Sequence, residues 1–226
     1  AAADDQELLR LWQGLGYYSR AKNLRRAALE IVGRHQRVVP SSLEALRELP
    51  GVGRYTAGAV ASIAFNRRAP ILDGNVTRVL CRIDGIIEDP RTAPMQRRLW
   101  SRAEQLVPER FPGHFNSALM ELGATVCTPR APSCLLCPVR THCVAAERGI
   151  VTAIPPPRKP ATHQLERRVV LCVLAEPNAP GAPPMVLIEQ RPPQGRWAGL
   201  WQWITVPAPA AGQQVDWSAL RASIGA

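Results

Sequence analysis

Long apolar runs are the first thing this sequence lacks. No stretch approaches the roughly 20 residues that cross a bilayer, so no membrane-spanning helix is expected. The opening "AAADDQELL" is small and acidic and reads as neither a signal nor a transit peptide. Lysine is scarce. Of 28 basic residues only Lys22 and Lys159 are lysines, so the excess over 18 acidic residues rests on arginine, and the pI stands near 10.2. Arginine's planar fork of donors matches phosphate oxygens, which makes a nucleic acid the natural partner; a merely soluble basic protein is the bland alternative. An evenly spread set of cysteines is missing too. Four of the six lie between Cys127 and Cys143, which suits an intracellular metal site rather than a disulfide framework. Disorder is excluded for most of the chain, because 46% of its 226 residues are hydrophobic.

Period-2 alternation is absent from residues 4–148, and helical spacing takes its place. Leu8, Leu11 and Trp12, then Leu24, Ala27, Ala28, Ile31 and Val32, recur at the helical repeat, with Gly14 and Gly16 breaking the run into two helices. Ser41 and Glu44 stand in capping-box spacing before a helix that stops at Pro50-Gly51. Further helices are expected in "RYTAGAVASIAF", "NVTRVLCRI", "APMQRRLWSRAEQLV" and "HFNSALMELGATV". A proline-rich basic linker, residues 149–167, follows. Beyond it "RRVVLCVLAE" and "PMVLIEQRP" read as strands around a turn-rich "PNAPGAPP". The expected organisation is an all-α domain over 1–148, a linker over 149–167, and a small, incomplete β-rich domain over 168–226.

Three stretches carry chemistry. In "LPGVGRYTAGA", Gly51 and Gly53 permit a tight turn before a helix starting at Arg54 or Tyr55. Backbone N–H groups at such a turn, with the positive end of the helix dipole, form an anion site, and Arg54 adds charge; a plain helical hairpin with glycines for close packing is the alternative. In "PILDGNVTRVL", Asp73 precedes a helix, where the helix N-terminus and Arg78 favour its carboxylate form; an ordinary N-cap fits as well. In "VCTPRAPSCLLCPVRTHC", Cys127, Cys134, Cys137 and Cys143 follow the spacing C-x6-C-x2-C-x5-C. The Cys134-x2-Cys137 pair suits zinc, and cysteine ligation equally suits an iron–sulfur cubane. Cys81 and Cys172 read as buried structural thiols on a helix and a strand.

Taken in order, these three motifs resemble the helix-hairpin-helix DNA glycosylase superfamily over residues 4–148. "GLGYYSRAKNL", "FNSALMELGATVCTP" and "QRPPQGRWAGLWQW" resemble its adenine-removing MutY branch. The resemblance implies a mainly α helix-hairpin-helix glycosylase domain with a [4Fe–4S] loop over 127–143, then a linker and an incomplete α+β Nudix-like domain. Bifunctional members carry a lysine after the hairpin to attack the sugar as an amine; Tyr55 stands there, so strand cleavage through a Schiff base is not expected. The implied activity is monofunctional removal of adenine mispaired with 8-oxoguanine or guanine in base-excision repair.

The resemblance also assigns residues. Asp73 is the catalytic carboxylate facing cationic character at C1′ of the sugar, and Asn75 helps hold the sugar-phosphate. Gly51, Val52, Gly53 and Arg54 belong to the DNA-binding hairpin. Tyr17, with Leu15 beside it, wedges into the duplex; a core aromatic is the bland alternative for Tyr17 and weighs more for Tyr18. Tyr55 lines the adenine pocket. The four clustered cysteines hold [4Fe–4S], shaping a loop whose Arg130 and Arg140 reach phosphate. Members of this branch protonate adenine with a glutamate upstream of "GLGYY", and no glutamate in residues 1–226 takes that position. The expectation is a chain truncated at both ends that releases little or no base by itself. The "ITVPAPAAGQQVDWSALRASIGA" tail contains no glutamate, so pyrophosphatase chemistry is not expected from the Nudix-like part. The implied partner is double-stranded DNA with an adenine mispair, bound by a monomer, in a bacterial cytoplasm at the nucleoid, or in the nucleus or mitochondrion of a eukaryote. A glycosylase for another mispaired or damaged base, and a non-catalytic DNA-binding module, are the competing readings.

Overall fold

The computed structural model describes residues 1–157, 168–175, 185–195, 197–207, 216 and 218. It divides into two compact units, residues 1–11 with 20–159, and residues 12–19 with 160–226. The division falls inside the proline-rich stretch and also sets the "WQGLGYYS" segment apart from the helices that flank it. Linker residues 158–167, the "PNAPGAPP" turn and most of the tail after residue 207 lie outside the described residues.

The first unit is helical: α1 (Asp5–Leu11), α2 (Ser19–Arg34), α3 (Leu43–Glu48), α4 (Arg54–Ala59), α5 (Gly74–Ile83), α6 (Ala93–Leu106), α7 (Pro112–Glu121) and α8 (Val144–Glu147). Helix α3 starts one residue later than the capping-box spacing suggests. Ser42, in extended conformation, is the N-cap and its hydroxyl accepts from the Ala45 N–H; Ser41 takes no part. On α2 the buried face is centred on Ala21 and Ala27, while Leu24 and Val32 are exposed. Ala27 and Ile31, both in the expected apolar stripe, do face the core, and Ala21 is buried beside them in place of Leu24. Ala27 joins a core cluster with Leu46, Leu49 and Ala57, and Ile31 packs against that cluster.

A second cluster forms the larger core, with Val76, Leu80 and Cys81 of α5 against Leu99 and Ala103 of α6. Both α4 and α7 widen at their ends into a π-helical turn, Val60–Ala64 and Leu122–Val126. In each, a hydroxyl bonds back four residues: Ser62 Oγ to the Gly58 carbonyl and Thr125 Oγ1 to the Glu121 carbonyl, both at 2.8 Å. Glycine lets these turns pack: a Cβ at Gly113 would sit 2.5 Å from the Ser62 carbonyl oxygen, and one at Gly123 would sit 2.7 Å from Asn75 Cβ.

The second unit contains an antiparallel four-stranded sheet, β1 (Arg168–Leu171), β2 (Val173–Ala175), β3 (Met185–Gln190) and β4 (Trp201–Pro207), in the order β1-β4-β3-β2. The expected single strand "RRVVLCVLAE" is therefore two, broken at Cys172 so that β1 pairs with β4 and β2 with β3. Cys172 is exposed at that break, which corrects the expectation of a buried thiol; Cys81 is fully buried as expected.

Candidate active site and cysteine cage

The hairpin turn is built as its glycines demand. Gly51 adopts φ +77°, the left-handed region that glycine enters without strain, and the Val52 N–H closes the turn on the Leu49 carbonyl at 3.1 Å. That bond removes one N–H from the set expected to be open. Gly53 is the N-cap of α4 and has no side chain to cap it, so the first-turn N–H groups of Arg54 and Tyr55 lack the partner a serine or aspartate would supply. Arg54 points its guanidinium over the Trp100 ring. Tyr55 crosses to α7, where its hydroxyl donates to Met120 Sδ at 3.4 Å.

Asp73 is both things its position allows. It is the N-cap of α5, with Oδ1 accepting from the Val76 N–H at 2.7 Å, and it is half-buried. The bond fixes the carboxylate, and the helix N-terminus favours its charge. No ion pair and no hydrogen bond to Tyr55 engages it among the described residues, which leaves Oδ2 without a protein donor there. Arg78 is close enough to Asp73 to act on it through space, yet its guanidinium is spent elsewhere. Nη2 donates to Asn75 Oδ1 at 3.0 Å and to the Gly123 carbonyl at 2.6 Å, and Nε donates to the Cys127 carbonyl at 2.8 Å. Burial lowers the Arg78 pKa; the charge of Cys127 works against that shift, that of Arg82 with it and that of Asp73 against it. Asn75 is thus held between Arg78 and the π turn at Gly123, in the same turn of α5 as Asp73.

The four clustered cysteines line one small cavity of about 20 Å³, together with Arg82 and Arg140. Tight turns carry the chain round it: Cys137 N–H bonds the Cys134 carbonyl, Arg140 N–H the Cys137 carbonyl, and Cys143 N–H the Arg140 carbonyl. Among the described residues no three of these donors close on a single metal ion. Four thiols around a shared void are a donor set that zinc or an iron–sulfur cubane could use. Burial raises the Cys137 pKa above that of an ordinary thiol, opposed by the Val139 N–H and assisted by charge on Cys127, Cys143 and Cys134. A cation among the four thiols would ease ionisation of Cys137, and the donor set fits an iron–sulfur group.

Sequence reasoning missed the residue that holds this loop. Arg82 is 1% exposed, and its guanidinium donates from Nε to the Ile154 carbonyl at 2.8 Å, from Nη1 to the Thr128 carbonyl at 2.8 Å and to Cys127 Sγ at 3.2 Å, and from Nη2 to the Pro129 carbonyl at 3.1 Å. A buried charge survives only with such a set of acceptors. The available signal was spacing: Arg78 and Arg82, four apart, sit on one face of α5. Arg130 and Arg140 are exposed.

In the other unit Tyr17 is 81% exposed and Leu15 62% exposed, whereas Tyr18 is half-buried. Gly14, Gly16 and Tyr17 have φ of +87°, +64° and +47°. A tyrosine in the left-handed region carries strain, and here that conformation accompanies an exposed ring.

Residues 1–105 match the family model described as "HhH-GPD superfamily base excision DNA repair protein". The chain is 40% identical to the adenine DNA glycosylase of Rattus norvegicus over 94% of its own length and 48% of the relative's. It is likewise 40% identical to that of Homo sapiens, over 91% and 45%. The chain thus spans about half the length of the curated relatives it matches. Among solved structures, a thermostable thymine-DNA glycosylase is similar at 31% identity with a TM-score of 0.57, covering 65% of this chain and 67% of that one. A non-covalent endonuclease III–DNA complex is similar at 25% identity with a TM-score of 0.54, over 66% and 68%.

Proposed function

The chain belongs to the adenine DNA glycosylase family of HhH-GPD base excision DNA repair proteins, and on that premise we propose that it serves to remove adenine mispaired with 8-oxoguanine or guanine in duplex DNA. The observation that carries this reading is identity of 40% to adenine DNA glycosylases across more than nine-tenths of the chain, well beyond the residues of the superfamily model.

The geometry suits one half of an acid-assisted hydrolysis. Asp73, pinned by the Val76 N–H, presents Oδ2 to the cationic sugar that forms as the C1′–N9 bond breaks; the bond electrons leave with adenine, which takes a proton from a general acid other than Asp73, and water adds at C1′ and gives up a proton to solvent. Asn75 steadies the adjoining sugar-phosphate, the Gly51-Val52-Gly53 turn binds backbone phosphate, Tyr17 and Leu15 enter the stack, and Tyr55 borders the base. Tyr55 carries no amine, so the route ends at base removal.

Cys127, Cys134, Cys137 and Cys143 would hold [4Fe–4S]. When bound, the cluster cross-links the loop that follows α7 and so fixes its shape. Arg82 and Arg78 then anchor the Cys127 end of that loop to α5. The strands from β1 to β4 belong, in this reading, to a Nudix-like domain that reads 8-oxoguanine.

The test is single-turnover adenine release by the whole protein from a duplex with adenine opposite 8-oxoguanine. Asp73→Asn is expected to slow release by about 10²–10³-fold, the scale of losing a transition-state charge partner, with duplex affinity kept. A variant as fast as the natural protein would remove Asp73 from the mechanism. Release of thymine from a guanine mispair, without adenine release, would favour the pyrimidine-directed alternative.

A further inference from the structure

Arg54 is the first residue of α4, one step past the hairpin glycines, where charge alone would aim it at a phosphate. The structure aims it at a ring. Its guanidinium carbon lies 4.0 Å from the ring centroid of Trp100, a half-buried side chain of α6. Arg54 also lines a cleft of about 230 Å³ with Leu43, Glu44, Arg47, Pro70 and Glu104. The carboxylates of Glu44 and Glu104 offset the two arginines in that lining, so the cleft offers a phosphate no net positive charge. Neither forms a salt bridge with Arg54 among the described residues, so the indole face is the partner that orients the guanidinium. The turn has a second hold. Gly51 sits so close to α2 that an added Cβ would come within 2.6 Å of Asn23 Cβ.

We infer that Arg54 is a positioning residue: stacked on Trp100, it ties the first turn of α4 to α6, and with it the N–H groups of the Gly51–Gly53 turn, and it is not itself a phosphate ligand. The inference rests on the reading of that turn as the duplex-binding element. A planar guanidinium stacks over an indole, whereas a lysine offers a point charge on a mobile stem. Arginine and lysine are therefore not equivalent here, although either could neutralise a phosphate. The neutral N–H groups of the turn contact backbone without releasing a full counterion apiece, so the turn contributes affinity with little salt dependence.

Two readouts separate the roles. The first uses no DNA: thermal unfolding of the protein with Arg54→Leu, Trp100→Leu and both together. Stacking predicts that the double variant is no less stable than the weaker single one, and strict additivity overturns the stack; Trp100→Phe, which keeps a ring, serves if Trp100→Leu fails to fold. The second is affinity for undamaged duplex from about 50 to 200 mM salt. Arg54→Leu and Arg54→Lys are expected to weaken binding alike, about two- to fivefold, the scale of a lost exposed cation–π contact. The slope of log affinity against log salt stays the same. A slope shallower by about 0.9 in Arg54→Leu, restored in Arg54→Lys, would make Arg54 a phosphate contact and overturn the inference. Should the natural protein bind no duplex at any salt, the reading of the turn falls, while the unfolding cycle decides the stack by itself.

Discussion

At the scale of single residues, two arginines that differ by one helical turn divide the labour around Cys127. Arg78 serves the N-terminal end of α5 through Asn75, and Arg82 serves the cysteine loop through the Cys127, Thr128 and Pro129 carbonyls and the Cys127 sulfur. The two unclustered thiols divide by exposure. Burial pushes Cys81 up to about 11 from an ordinary 9.0, with the Asp84 charge in the same direction. A thiol raised in the folded chain adds stability that is whole below pH 9.0 and is lost as pH climbs through about 11, because the unfolded chain ionises first. At pH 8 Cys172 is therefore expected to take a thiol-alkylating reagent and Cys81 to remain unmodified until the chain unfolds, as peptide mass mapping would read out. Early labelling of Cys81 would show that the α5–α6 core opens below its global stability.

At the scale of elements, the π turns after α4 and α7 depend on glycines that admit a neighbouring backbone. A Cβ at Gly58 would overlap the Pro70 carbonyl oxygen, and that carbonyl cannot swing aside as a surface side chain can. Gly58→Ala is expected to cost about 1–3 kcal/mol of stability, the range for an overfilled core. For a chain of this size that is a Tm lower by about 2–4 °C per kcal/mol. Gly33, on α2, has open space around its Cβ position, and Gly33→Ala should leave Tm unchanged or raise it. Equal effects of the two substitutions in thermal unfolding would mean that α4 and Pro70 do not pack as described.

At the scale of the whole molecule, a formal charge of +10, nearly all from arginine, sets how the protein meets a polyanion. Counterion release makes such binding salt-dependent: neutralising about six phosphates costs affinity on the order of 10³-fold between 50 and 200 mM salt. A loss of that order is expected for undamaged duplex in a filter or anisotropy titration, and a flat profile would contradict a phosphate footprint. The surface divides its arginines unevenly. Arg82 is buried and Arg54 is stacked, so the residues left to face DNA are fewer than the composition suggests.

Much of this was legible in the residues. Glycine spacing located the hairpin, because φ near +77° at Gly51 is costly for other residues. Asp73 could be placed at a helix start from its sequence neighbours alone, and the four cysteines declared themselves by number and spacing. Those are local facts, and local sterics and capping chemistry determine them. What the tertiary structure decided involves partners far apart in the chain: Arg82 reaching Ile154, Arg54 meeting Trp100, Ala21 of α2 buried in place of Leu24, and Cys172 left exposed where one extended run splits between two partner strands. No periodicity encodes these, because a side chain's propensity is the same whether its final neighbour is a carbonyl, an indole or water, and only the packed chain supplies that neighbour.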